Sequence, residues 1–209
     1  MNRLAKRLPS RRRSGRLIGR FPSGKSQEPL PFESRLELDA LRVLEMDPDV
    51  TVMQTQPLQL TYLDGMKLRR YIPDIQVWGT KDYVIEVKPS NKADTEEFKR
   101  IVEVRRSYFA EKGLGYEVWT EREIRARPRY DRVITLWRYL DHEIPRKATL
   151  RALLHVRTKS TPTLGGVIDA LGGDSSALRN AYALVAQGII RTDVCAELNR
   201  RAHVLEVMR

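Results

Sequence analysis

The segment from Tyr71 to Lys88 limits the fold more than any other part of the chain. Tyr83-Val84-Ile85-Glu86-Val87-Lys88 has the apolar character of a strand, yet it carries a carboxylate and an amine one residue apart. On a strand of period two, Glu86 and Lys88 project from one face, and Ile85 and Val87 from the other, where a core can receive them. Random surface decoration is a poor account of that pairing on an otherwise apolar strand. Asp74, in Tyr71-Ile72-Pro73-Asp74, stands twelve residues before Glu86, and Gly79-Thr80-Lys81-Asp82 between them reads as a turn. Antiparallel pairing across the turn sets residue 75 or 74 opposite Glu86, and a one-residue change of loop length decides which.

The surrounding pattern predicts a mixed sheet flanked by helices. Residues 32–46 read as a helix with Phe32, Leu36, Ala40, Leu41 and Leu44 at helical spacing, stopped by Asp47-Pro48-Asp49. Residues 56–63 and 66–78 read as two strands joined at Asp64-Gly65, a hairpin signal, with 83–88 as the third strand of the meander. Residues 94–112 read as an amphipathic helix with Phe98, Ile101, Val102, Arg105, Tyr108 and Phe109 on or near one face, stopped by Gly113. A strand at 116–120 follows, so the strand–helix–strand order predicts one parallel crossover. Thr120 and Glu123 fit a capping box for the next helix, and 130–140 reads as a further core-facing helix.

Two carboxylates brought together in a partly enclosed site repel one another, and a divalent cation removes that penalty. Hard oxygen ligands suit magnesium or manganese. A metal so held lowers the pKa of water and offsets charge on phosphoryl oxygens, which is phosphodiester hydrolysis. The candidate catalytic residues are Glu37, Asp74, Glu86 and Lys88, and the candidate metal positions are Asp74, Glu86, Val87 and Glu37. Lys88 would orient water or stabilise transition-state charge; a base role would require a depressed pKa. Glu37, one turn after Glu33 on the first helix, would join the site directly or through water. The alternative is a structural ion-pair network.

Charge points the same way. Of the formal +11, nine charges precede the first acidic residue, Glu28: Arg3, Lys6, Arg7, Arg11, Arg12, Arg13, Arg16, Arg20 and Lys25. Residues 1–31 therefore read as a basic arm, with Arg11, Arg12, Arg13, Arg16, Arg20 and Lys25 as candidate contacts to a phosphate backbone. A solvated tail is the competing reading. No apolar run is long enough to span a bilayer, and the charged N-terminus lacks the apolar stretch of a secretory leader. A single cysteine, Cys195, fits a reducing compartment and excludes a cysteine-based zinc site.

These motifs resemble the TnsA family of the PD-(D/E)xK, restriction-endonuclease-like superfamily. The likeness is carried by Ser34-Arg35-Leu36-Glu37-Leu38, Gln56-Pro57-Leu58, Tyr71-Ile72-Pro73-Asp74 and Ile85-Glu86-Val87-Lys88-Pro89. It continues through Glu103-Val104-Arg105-Arg106-Ser107-Tyr108-Phe109 and Trp119-Thr120-Glu121-Arg122-Glu123-Ile124. The resemblance implies an α/β restriction-endonuclease-like fold, with Glu37 as the helix carboxylate, Asp74 the central metal ligand, Glu86 the second ligand position and Lys88 the catalytic lysine. Some members carry Gln where this chain has Glu86. It also implies cleavage of double-stranded DNA at the 5′ ends of a mobile element, beside a DDE transposase subunit and an AAA+ ATPase regulator, in a cytoplasmic, nucleoid-associated setting.

The character changes after Pro145. Helices are expected at 148–157, 163–171 and from Asp174 or Ser175 to about Gln187, followed by strands in IIRTDV and HVLEV. Three helices and a hairpin make residues 146–209 a winged-helix-like domain, with Arg179 and Asn180 as possible base readers, or else a protein-contact module. Residues 32–145 would be the nuclease domain. A standalone repair or junction-resolving nuclease and a non-catalytic DNA-binding adaptor are the alternative functions.

Overall fold

The fold described here is a computed structural model covering residues 17–57, 59–193 and 196–207. The expectations for Arg11, Arg12, Arg13, Arg16, Leu58 and Cys195 lie outside those residues. The chain forms two compact units that divide between Ile124 and Arg125.

The first unit opens with a short antiparallel pair, β1 (Gly19–Phe21) and β2 (Leu30–Phe32). Phe21, Leu30 and Phe32 are buried, so the end of the expected arm is part of the core. Three-residue strands are too short to show a period-two signature, which is why composition alone reads this stretch as linker.

α1 (Arg35–Glu45) starts at Ser34, whose hydroxyl accepts the Glu37 backbone N–H. The Glu37 carboxylate returns the bond, accepting the Ser34 hydroxyl at 2.8 Å and the Glu33 N–H at 2.8 Å. This reciprocal cap satisfies donors that a helix N-terminus leaves open and sets a negative charge at its positive end. Leu41 and Leu44 are fully buried, at about 2 kcal/mol of burial each.

β3 (Val50–Thr55) was hidden by its two exposed residues in succession, Thr51 and Val52, where a half-buried strand should alternate. β4 (Leu60–Asp64) and β5 (Lys67–Tyr71) form the expected hairpin over Asp64-Gly65, with Gly65 at φ 61°. The expected return strand does not run on to Trp78. It breaks at Ile72-Pro73-Asp74, because proline cannot donate to a ladder. β4 and β5 therefore stand as their own two-stranded sheet.

β6 (Ile75–Gly79) and β7 (Tyr83–Val87) resume in a four-stranded sheet with β3 and β8 (Gly115–Trp119), in the order β3-β6-β7-β8. The turn between β6 and β7 is fixed by Gly79, where a Cβ would lie 1.8 Å from the Asp49 carbonyl oxygen. Between β7 and β8 come α2 (Ser90–Ala93) and α3 (Glu96–Ala110). β3, β6 and β7 pair antiparallel, while β7 and β8 pair parallel, as the strand–helix–strand pattern requires. α4 (Glu121–Ile124) begins with the Thr120–Glu123 box, in which Glu123 accepts the Thr120 N–H and hydroxyl at 2.7 and 2.6 Å. The unit is an α/β fold with a mixed sheet flanked by helices.

The second unit comprises α5 (Arg129–Trp137), α6 (Arg146–Thr158), α7 (Leu164–Ala170) and α8 (Ser175–Ala186), then β9 (Ile190–Thr192) and β10 (Val204–Val207) paired antiparallel. α5 belongs here rather than with residues 32–124. It packs on α8, Arg132 bonds Thr192 on β9, and Tyr139 meets Tyr182 edge-on at 5.4 Å. Asn180 is buried and bonded to His142 at 3.0 Å, so it is not presented to a base; Arg179 is exposed.

Candidate active site

The register of β6 and β7 settles what spacing left open. Ile75 pairs with Ile85, which sets Asp74, the residue before β6, across from Glu86. Asp74 Oδ2 accepts the Val87 backbone N–H at 2.7 Å, so the carboxylate is anchored on the strand that bears Glu86. Burial pushes the Asp74 carboxyl up to about 8, with Glu86 and then Glu37 adding repulsion that the Val87 N–H and Lys88 only partly offset.

Glu86 is buried and heavily satisfied. The Tyr71 hydroxyl donates to Oε2 at 2.6 Å, and Arg105 Nη1 lies 3.2 Å from the same oxygen. Lys88 Nζ lies 2.7 Å from Oε1, which confirms that Glu86 and Lys88 share a face. The amine also lies 5.2 Å from the centroid of the Phe98 ring on α3 and is partly exposed.

Behind Glu86 is an aromatic layer. Tyr62, Tyr71, Val84, Val102, Phe109 and Tyr116 form one buried cluster between the β4–β5 hairpin, the sheet and α3. Arg105 enters it from α3, 3.6 Å from the Tyr71 ring centroid, and donates to the Tyr62 and Tyr116 hydroxyls at 3.3 and 3.2 Å. Burial pulls the Arg105 pKa down, but the Tyr116 and Tyr62 hydroxyls and Glu86 outweigh it, and the net shift is upward. The Tyr71 and Tyr116 hydroxyls are raised, by burial first and Glu86 second, so both stay protonated, Tyr71 as the donor to Glu86.

Arg105 is the residue that sequence reasoning left without a role. Its signal was its place on the apolar stripe between Val102 and Phe109. A guanidinium on a core-facing position needs a buried acid to meet it.

Both Glu37 oxygens accept a bond in the α1 cap, and its charge reaches Asp74. Among the described residues no group of three or more His, Cys, Asp or Glu side chains converges in metal-holding geometry. The chemistry of the donor set nonetheless fits a hard divalent cation. Glu86 has Lys88 and Arg105, but Asp74 has no ion-pair partner among the described residues and is pushed toward protonation by burial and its acidic neighbours, so positive charge is short at the Asp74 side of the pair.

Of the candidate DNA contacts, Arg20 is exposed on β1. Lys25 is not presented to a phosphate, since its amine donates to the Leu44 carbonyl at 2.8 Å and to the Asp47 carbonyl at the C-terminal end of α1. Ser23 and Gly24 bond Glu45 at 2.6 and 2.9 Å, pinning the same loop.

The family described as TnsA-like endonuclease N terminal matches residues 47–121, which hold β3 through β8, α2 and α3. No curated protein matches the chain.

Proposed function

We propose, from the premise that residues 47–121 form a TnsA-like endonuclease N-terminal domain, that the chain is a transposase's nuclease subunit, hydrolysing phosphodiester bonds at the 5′ ends of a mobile element with magnesium or manganese. The observation that carries this reading is the Asp74–Glu86 pair with Lys88 on Glu86 Oε1. The cation would be held by Asp74 and Glu86, with Val87 beside them and Glu37 adding negative charge from the capped helix. What the cation brings when held there is Lewis-acid charge for water and phosphoryl oxygen alike.

The residues of the chain do the rest. Tyr71 and Arg105 fix Glu86 Oε2, which leaves Oε1 as its oxygen toward the site. Asp74 is aimed by the Val87 N–H. Lys88, half-free of the core, is placed to offset the charge that builds on the phosphoryl group. Partners under this reading are duplex DNA at the transposon ends, a DDE transposase and an AAA+ regulator. Residues 146–209, three helices and an antiparallel pair, would be a winged-helix-like module for one of them.

The ion pairs that saturate Glu86 favour a second reading, a DNA-binding adaptor in which they are purely structural. Cleavage of end-bearing plasmid DNA in magnesium or manganese, with and without transposase, separates the two. The nuclease reading requires nicks that vanish in Asp74→Ala while DNA affinity persists. DNA binding without cleavage in every partner combination would leave the adaptor.

A further inference from the structure

The β4–β5 hairpin has one face packed and one face bare. Strand partners Tyr62 and Arg69, and Leu60 and Tyr71, share the inner face, where Tyr62 and Tyr71 join the aromatic cluster under α3. On the outer face Leu63 stands opposite Leu68, and Thr61 opposite Arg70. Leu63 is 65% exposed, Leu68 71% and Met66, at the tip, fully.

The charge around this apolar tip has one sign. Lys67, Arg69 and Arg70 are all exposed. The hairpin's carboxylate, Asp64, is turned inward and held by Arg100 at 2.5 and 3.1 Å and by Arg69 at 3.3 Å. Lys67 and Arg70 have no ion-pair partner among the described residues. The hairpin thus offers solvent two leucines side by side with Arg70 on the outer face, and a methionine at the tip beside Lys67, which is exposed on the other side opposite the Arg-held Asp64.

We infer that this ribbon is a DNA-contact element that lies in the major groove beside the bond to be cut; the inference deepens the nuclease reading and rests on it. Positive charge flanking the tip matches phosphate. The major groove, about 12 Å wide, admits a two-stranded ribbon without deforming the duplex, whereas the minor groove, about 6 Å wide, takes one only where the duplex is widened and bent. Leu63, Leu68 and Met66 would meet thymine methyl groups, and Lys67 and Arg70 the flanking phosphates. The placement follows from continuity with the site. β5 ends at Tyr71, whose hydroxyl is on Glu86, and Asp74 follows three residues later. Four residue steps from Tyr71 to Lys67 span about 13 Å, or roughly four base pairs.

The test measures affinity of the full-length chain, without divalent metal, for a mixed-sequence duplex and for the same duplex glucosylated at 5-hydroxymethylcytosine, which fills the major groove. Wild type should bind the glucosylated duplex about tenfold more weakly, a loss the size of a few lost contacts. Leu63→Ser/Leu68→Ser/Met66→Ser should bind plain duplex more weakly and lose most of that discrimination. Lys67→Ser/Arg70→Ser should lower the salt slope by about two. All five side chains are exposed, so thermal midpoints should stay at wild-type values; a fall would mark a structural role and overturn the inference. Variants that match wild type on both duplexes, or that lose only a partner protein, overturn it alone. A wild type that binds no duplex overturns it together with the proposed function.

Discussion

Arg105 on α3 and Tyr71 at the end of β5 meet on a single oxygen, Glu86 Oε2, while the guanidinium lies 3.6 Å from the Tyr71 ring centroid. The two residues come from different elements, so Glu86 depends on the packing of α3 against the hairpin and sheet. Removing the guanidinium leaves a buried carboxylate short of charge. Arg105→Met is expected to cost about 3 kcal/mol in denaturant unfolding. Adding Glu86→Gln to it should recover part of that loss, because the orphaned charge is gone. A double variant no more stable than the single would dissolve the claimed pairing.

Asp74 gives a pH dependence with a definite sign. Burial and the neighbouring carboxylates push its carboxyl up to about 8 in the native state, from an ordinary 3.8. Between those values the native state holds a proton that the unfolded state has released. An acid raised in this way makes metal-free protein less stable as pH climbs through the window, with the full cost reached above about 8. Asp74→Asn keeps an acceptor for the Val87 N–H and cannot ionise. It is expected to stabilise metal-free protein by about 2 kcal/mol or more at pH 8 and to leave pH 4 nearly unchanged. Magnesium should raise the wild-type melting temperature at pH 8 and leave that of Asp74→Asn unmoved. Equal pH profiles for the two proteins would remove the acidic strain from Asp74.

Much of this site could be read from the chain, for identifiable reasons. Glu86 and Lys88 were placed on one face because strand periodicity needs nothing beyond the strand itself. The facing of Asp74 and Glu86 was left one residue uncertain, because register depends on the turn. Gly79 against the Asp49 carbonyl fixes that turn, and this is a contact to a strand the sequence did not reveal. β1, β2 and β3 were missed for want of a periodic signature. The break of the return strand at Pro73 was legible in principle, since proline is a poor strand interior residue. α5 was assigned to the wrong neighbour because an apolar stripe says that a helix is covered, not by what. Asn180 was misread for a similar reason: nothing in the residues next to it along the chain tells that His142 lies against it.

Glu37 has a structural task that masks any catalytic one. Its carboxylate closes the Ser34 cap, and its charge reaches Asp74. Glutamine serves a capping box as well as glutamate does. Glu37→Gln is therefore expected to hold stability within about 0.5 kcal/mol and to lower cleavage about tenfold, the usual scale for a residue just outside the ligand shell. Ser34→Ala should instead cost about 1 kcal/mol of stability. Complete loss of cleavage in Glu37→Gln would make it a direct ligand.

Lys25 and the basic residues before it should separate cleanly in experiment. The Lys25 amine sits on carbonyls at the C-terminal end of α1, where a cation complements the helix dipole. Lys25→Met is expected to lower stability by about 1 kcal/mol and to leave the salt dependence of DNA binding as it is. Removing residues 1–16 takes away Arg3, Lys6, Arg7, Arg11, Arg12, Arg13 and Arg16. That deletion should flatten the salt dependence by several units, since each phosphate contact contributes about 0.9 to the slope. A slope that falls with Lys25→Met would return that lysine to the DNA interface, and a slope untouched by the deletion would take the basic arm out of it.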